Sequence, residues 1–267
     1  MGWLGRSGTV EAAAWLVLTY LLAPSLIVFP LSLTDRSFLA MPQVGLSLAH
    51  WRHLLTSAEW LGAASQSLVI ALTSTALALL FGTLCAIGCS RLASRAGEVV
   101  RAAMLLPLIV PTIVYTLGLY RLFIDLHLLG TVAGIAIAHA VTGLPYVMIT
   151  VSAALANFDP RLEQAARGLG ASTLQTLRMV VVPDILPGII SGAVFAFAHS
   201  WDEIIIVLFI AGRRITTLPR LMWDRVQESL DPTIAAVAAA LIGFSLILLL
   251  PVLLSRAQDA AAERSKR

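Results

Sequence analysis

Two carboxylates stand side by side in one of the most apolar stretches of the chain, Asp202 and Glu203 in FAFAHSWDEIIIVLFIAG. Charged side chains at membrane depth cost about 2.5–3.5 kcal/mol on insertion scales, so they face a cavity or a partner. Two readings follow. With Trp201 they can line the path of a cationic solute, or they can form an ion pair at the interface with Arg213 or Arg214. His139 lies in another apolar run, where a histidine serves either as a proton relay or as a hydrogen bond between helices. Cys85 and Cys89 are four residues apart and share one helix face, as small packing residues do. Their spacing is neither a disulfide framework nor a zinc site. H-E-x-x-H, G-x-S-x-G and H-x-E with paired cysteines do not occur. A Walker A loop needs a lysine to reach the nucleotide phosphates, and the single lysine, Lys266, follows no glycine-rich loop.

The elements that must position these groups are apolar spans. Of 267 residues, 58% are hydrophobic and 12% charged, against about 25% charged in soluble domains. The solvent of such a chain is the bilayer. Runs almost free of charge cover Ala12–Thr34, Leu61–Ser90, Ala102–Tyr120, Leu128–Phe158, Ile185–Gly212 and Pro232–Ser255. Each is near or above the ~20 residues that cross the hydrocarbon, and backbone groups in lipid must bond internally. The expected fold is therefore an all-α membrane protein with six transmembrane helices. Asp202 falls 17 residues after Ile185, about 26 Å along a helix, toward one end of its span. The first span is longer than a secretory signal and carries Pro24 and Pro30, so it is expected to be retained. Pro107 and Pro111 are expected to kink or break the third span, and Gly143-Leu144-Pro145 the fourth.

Basic residues favour both termini on the cytoplasmic side, and Trp51, Trp60, Trp201 and Trp223 collect at the opposite boundary, as interfacial aromatics do. The expected organisation is a cytoplasmic start (1–11), a first span (12–34), an outer loop (35–60), a transmembrane domain (61–255) and a cytoplasmic tail (256–267). The loop 157–183 then lies inside. A net charge of +3 without a basic stripe gives no surface suited to nucleic acid.

That inner loop contains DPRLEQAARGLGAST, residues 159–173. Asp159 is a good N-cap, Pro160 suits the first helical position, and Glu163 meets the positive end of the helix dipole. Gly168 or Gly170 can stop the helix. Ser172 or Thr173 can cap a second one over Leu174, Leu177 and Met179, and Pro183 precedes the next span. The pattern predicts helix–glycine–helix at the membrane surface. On composition alone it is equally a plain hairpin between spans.

The loop resembles the EAA motif of binding-protein-dependent ABC importer permeases: EAA, three residues, Gly, nine residues, then I-x-L-P. Gln164-Ala165-Ala166 precedes Gly170 at that spacing, and Val180-Val181-Val182-Pro183 occupies the last position. Gln164 replaces the motif glutamate, with Glu163 directly before it. MLLPLIVPTIVYTLGLYRLF, LPYVMITVSAALANFDPRLEQAARGLGAS, the SWDE segment and TLPRLMWDRVQESLDPTIAAVAAALI extend the likeness over roughly 60–255, and they resemble the spermidine/putrescine group.

The resemblance implies a type I ABC importer permease fold with cytoplasmic coupling helices, in the inner membrane. It implies that Glu163, Gln164, Ala165, Ala166, Leu169, Gly170, Ser172 and Thr173 dock on a cytoplasmic ATPase dimer; Trp201, Asp202 and Glu203 are candidates for the solute path on the charge argument above. The other implied partners are a second homologous permease, a periplasmic solute-binding protein and membrane lipid. No cofactor is expected on this chain, since ATP and Mg would sit on the ATPase. Thiamine, aminophosphonates and ferric iron are the alternative solutes. A stand-alone channel, secondary carrier or intramembrane enzyme is the reading from another class.

Overall fold

A computed structural model describes residues 4–92 and 94–247, and every regular element among them is helical. In chain order these are α1 Leu4–Ser32, α2 Ala49–Thr56, α3 Ala58–Arg91, α4 Arg95–Ile109, α5 Thr112–Asp125 and α6 Val132–Asn157. Then come α7 Pro160–Gly168, α8 Thr173–Thr176, a π-helical turn Leu177–Val181, α9 Val182–Asp184, α10 Leu186–Asp202, α11 Ile205–Ile210 and α12 Leu218–Glu228. A last apolar helix, α13, covers Thr233–Ile247.

Among the described residues, three helical stretches are long and apolar enough to cross a membrane, Gly8–Ser32, Ala58–Arg91 and Val132–Asn157. Two bent pairs raise the number to five if each is one span: α4 with α5, at 107°, and Thr173–Asp184 with α10, at 69°. The expected sixth span, 232–255, is helical through Ile247; its remainder and the tail 256–267 lie outside the described residues.

The α4–α5 break follows from its prolines. Pro107 has no N–H for the carbonyl of Ala103, and Pro111 has none for that of Pro107, so the chain turns at Val110 and restarts at Thr112. The fifth expected span is also interrupted, at Glu203–Ile204, between α10 and α11. The fourth corrects the sequence expectation: α6 runs through Gly143-Leu144-Pro145 without a break. A single lost ladder bond inside a packed bundle does not end a helix; Pro145 is buried, and Gly143 beside it faces Ala78 and Ala196.

Contacts divide the chain into two packed units, Gly62–Arg220 and the flanking segments up to Leu61 and from Leu221. Within 62–220, α3, α6 and α10 pack through small residues. A Cβ added at Gly82 would lie 2.9 Å from Val147, and one at Gly188 2.6 Å from Ala154 Cβ. Such close approach is how helices gain van der Waals contact when lipid gives no hydrophobic drive between them. Two apolar clusters result. One joins Ala78, Ala86, Val147, Met148, Val151, Ile185 and Ala196; the other joins Ile70, Phe123, Ile135, Ala138, Ile206, Val207 and Ile210.

A polar layer separates the two clusters. Ser74 on α3, His139 on α6 and Ser200 on α10 are all buried. Ser74 Oγ donates to Ser200 Oγ at 2.8 Å, and Ser200 Oγ is 2.8 Å from His139 Nδ1. Ser200 is thus the common partner of α3 and α6, and His139 makes an interhelical hydrogen bond, the structural role of the two weighed from sequence. Ser200→Ala is expected to lower unfolding stability in detergent by about 1 kcal/mol, the scale of interhelical hydrogen bonds in membranes. An unchanged unfolding midpoint would show the layer to be energetically idle.

In the flanking unit, α1 is exposed from Gly8 to Ile27. The segment after it is folded: Asp35 accepts from the Gln43 and Val44 N–H groups at 3.1 and 3.3 Å. Those backbone hydrogen bonds, Gln43 first, hold the Asp35 carboxyl below its ordinary value. Arg225 bridges Glu59 at 2.5 Å and Glu228 at 3.3 Å. The hydrogen bond to Glu59 raises the Arg225 value further.

Candidate functional site

The loop between α6 and α10 has the predicted form. Asp159 Oδ1 accepts from the Arg161 N–H at 2.9 Å and Pro160 opens α7. Of the two candidate stops, Gly168 is the last residue of α7 and Gly170 takes the left-handed conformation, at φ +88°. Its N–H reaches the Arg167 carbonyl, and the N–H of Ala171 reaches that of Ala166. Of the two candidate caps, Ser172 closes a capping box with Gln175: the Gln175 N–H donates to Ser172 Oγ and the Ser172 N–H to Gln175 Oε1. Helix α8 then widens into the π turn 177–181, which carries the chain through α9 to the bend at Ile185 and into α10.

The surface of this loop is apolar in the wrong place for water alone. Leu169 is 91% exposed, Leu174 73% and Met179 72%. Gln164, Ala165, Ser172 and Thr173 are exposed beside them, and Ala166 is half-buried. Glu163 does something different. Its carboxylate binds Arg167 at 2.7 Å, one turn along α7, and Arg91 at 3.2 Å, the last residue of α3. The one carboxylate beside the motif position thus ties the loop to a membrane helix, while Gln164 stays on the open face.

Arg91 is the residue that sequence reasoning missed here, because 72 residues separate it from Glu163. These side chains are partly exposed, so the pair contributes little to global stability. Glu163→Gln is expected to leave the unfolding free energy within about 1 kcal/mol of wild type, while amide exchange across 160–168 speeds up severalfold. Unchanged exchange would mean that the ion pair does not anchor α7.

The acidic pair divides in its roles. Glu203 Oε1 accepts from the N–H groups of Ile205 and Ile206, at 2.7 and 3.2 Å, and so caps the start of α11. Asp202 ends α10 and is exposed. Trp201 stacks on Phe197, with ring centroids 5.6 Å apart. Among the described residues neither carboxylate pairs with Arg213 or Arg214. One turn back on α10, His199 lies 2.9 Å from Thr142 Oγ1 and 5.1 Å, centroid to centroid, from the Tyr146 ring. The sequence signal for this group was a second histidine three residues before Asp202, in AHSWDE.

Long apolar helices, two bent pairs and an amphipathic surface loop define a multi-pass membrane protein. The chain belongs to the family of binding-protein-dependent transport system inner membrane components, whose model matches residues 78–265. It is a transport subunit, not an enzyme. It is 33% identical over 232 residues to the putrescine transport system permease protein PotI of Escherichia coli (strain K12), covering 84% of this chain and 82% of that one. The spermidine/putrescine transport system permease protein PotC of Haemophilus influenzae is 30% identical over 238 residues, 89% of this chain and 92% of its own. A bacterial ABC transporter involved in import of the acidic polysaccharide alginate has a chain of the same fold. Its TM-score is 0.69 at 17% identity, over 94% of this chain and 96% of that one.

Proposed function

We propose that this chain is the permease subunit of a type I ABC importer and carries a polyamine, putrescine or spermidine, across the inner membrane by alternating access. The observation that carries the importer reading is the loop. Its helix–glycine–helix places Leu169, Leu174 and Met179 outward, and Glu163 ties its first helix to α3. An exposed apolar strip on a rigid element is a docking surface in search of a partner, here a cytoplasmic ATPase dimer on which ATP and Mg reside. Residues 163–166, Leu169, Gly170, Ser172 and Thr173 form this contact. Six spans with both termini cytoplasmic, a second homologous permease and a periplasmic binding protein complete the assembly. Polyamine as the solute is supported by the names of the relatives and by the SWDE segment they resemble.

The test is reconstitution of this chain with its cognate ATPase, second permease and binding protein, in proteoliposomes. ATP-dependent uptake of radiolabelled putrescine or spermidine is expected. Uptake of an anionic or neutral solute instead would remove the polyamine assignment and leave the importer. Solute flux through this chain without any ATPase would remove both.

A further inference from the structure

The break between α4 and α5 opens onto a cavity of about 230 Å³, lined by residues 107–112 with Thr142, Tyr146 and His199. At roughly 30 Å³ per water, it has room for several waters or a short aliphatic chain. Among the described residues no Lys, Arg, Asp or Glu lines it. Three features nevertheless give it an electrostatic sign.

The first is the broken helix itself. The carbonyls of Pro107, Leu108 and Ile109 end α4 and receive no backbone hydrogen bond among the described residues. The C-terminal end of a helix carries partial negative charge, and broken spans use such carbonyls to hold cations. Against these three acceptors, Thr112 is the lining residue that brings an N–H from the start of α5.

The second is the direction of a hydrogen-bond chain. Thr142 Oγ1 is 3.1 Å from the His139 carbonyl and 3.4 Å from that of Ala138. His199 Nε2 lies near the same oxygen and its role depends on the tautomer; with the ring proton on Nε2, the hydroxyl proton goes to one of the two carbonyls. The same oxygen then accepts from His199 Nε2–H at 2.9 Å. In the neutral ring this leaves His199 Nδ1 as an acceptor, and no described residue donates to it. The third is Tyr146, whose aromatic face attracts a cation and stands beside His199.

We propose that this cavity binds a primary ammonium group of the transported solute, held by the Tyr146 ring, His199 Nδ1 and the carbonyls of the α4–α5 break. The assignment rests on the polyamine reading and puts the intramembrane subsite one helical turn inward of Asp202 and Glu203. An anion would meet the same carbonyls and ring face as repulsion.

The test measures equilibrium binding of radiolabelled putrescine to the permease–ATPase complex in nanodiscs, without the binding protein, beside uptake by the full complex. Saturable binding to wild type is expected, at least tenfold weaker in Tyr146→Leu, with Tyr146→Phe retaining most of it because the ring remains. His199 separates binding from structure. Gln at 199 keeps the donor to Thr142 and loses the acceptor, so His199→Gln is expected to bind at least tenfold more weakly. Asn keeps a carbonyl near the Nδ1 position, so His199→Asn is expected to bind better than His199→Gln. The opposite order would assign His199 to the helix contact and overturn the proposal. Uptake of putrescine without saturable binding in nanodiscs, or binding indifferent to Tyr146→Leu, also overturns it with the polyamine reading intact. Failure of all polyamine uptake overturns that reading, and binding without uptake supports the site alone.

Discussion

Gly188→Leu and Gly192→Leu are expected to yield no monodisperse folded protein in detergent. Both glycines lie on α10 where it meets α6. A Cβ at Gly188 would stand 2.9 Å from the backbone oxygen of Thr150, and one at Gly192 2.7 Å from Thr150 Oγ1 and 3.1 Å from the backbone Cα of Val147. The backbone atoms of Thr150 and Val147 belong to a continuous helix and cannot swing aside, so the helices must separate. Overpacking a core costs about 1–3 kcal/mol for added methylenes, and an isobutyl group between two backbones falls at or beyond the upper end. Separation would also pull Ser200 from Ser74 and His139. Gly118→Leu on α5 is the control, since a Cβ there meets nothing within 4 Å. Size-exclusion profiles and thermal unfolding decide the matter. If Gly192→Leu behaves like Gly118→Leu, the close α6–α10 packing is wrong.

Gly170→Val is expected to uncouple ATP hydrolysis from uptake in the assembled importer, lowering solute moved per ATP by at least tenfold. Space is not the reason, because a Cβ at Gly170 meets nothing within 4 Å. The reason is φ +88°, where a β-branched residue is strained and the left-handed state costs roughly 1–2 kcal/mol. Relief of that strain swings Leu174 and Met179 away from Leu169 and disperses the docking strip. Gly170→Asn, which tolerates this region better, is expected to keep most of the coupling. Gly168→Ala sits in helical backbone with open space around it and is expected to be tolerated. Normal coupling and normal ATPase co-purification in Gly170→Val would count against the docking role of the loop.

The helix–glycine–helix loop is legible in the sequence because its instructions are local. Asp159, Pro160, Ser172 and Gln175 act on backbone groups two or three residues away, so spacing alone states them. Which glycine takes the left-handed turn is not, since Gly168 and Gly170 offer the same freedom, and the capping box at Ser172 places the stop at Gly170. Proline gave a similar split. Pro107 and Pro111, four residues apart, remove successive donors along one helix face and break the span, whereas Pro145 removes one inside a packed bundle and the helix persists.

By itself, the sequence determined that this is a membrane protein with an amphipathic surface loop and no phosphate-binding lysine loop. Those properties are sums over composition and short-range patterns. The tertiary structure decided what the buried polar groups do. Glu163 meets Arg91 across 72 residues, and Ser200 meets Ser74 across 126. His199 reaches Thr142 across 57, and Glu203 spends one oxygen on capping α11. In an apolar span each polar side chain must find a partner. Which one it finds depends on how helices far apart in the chain are turned toward each other, and that rotation is written in packing and not in any local spacing.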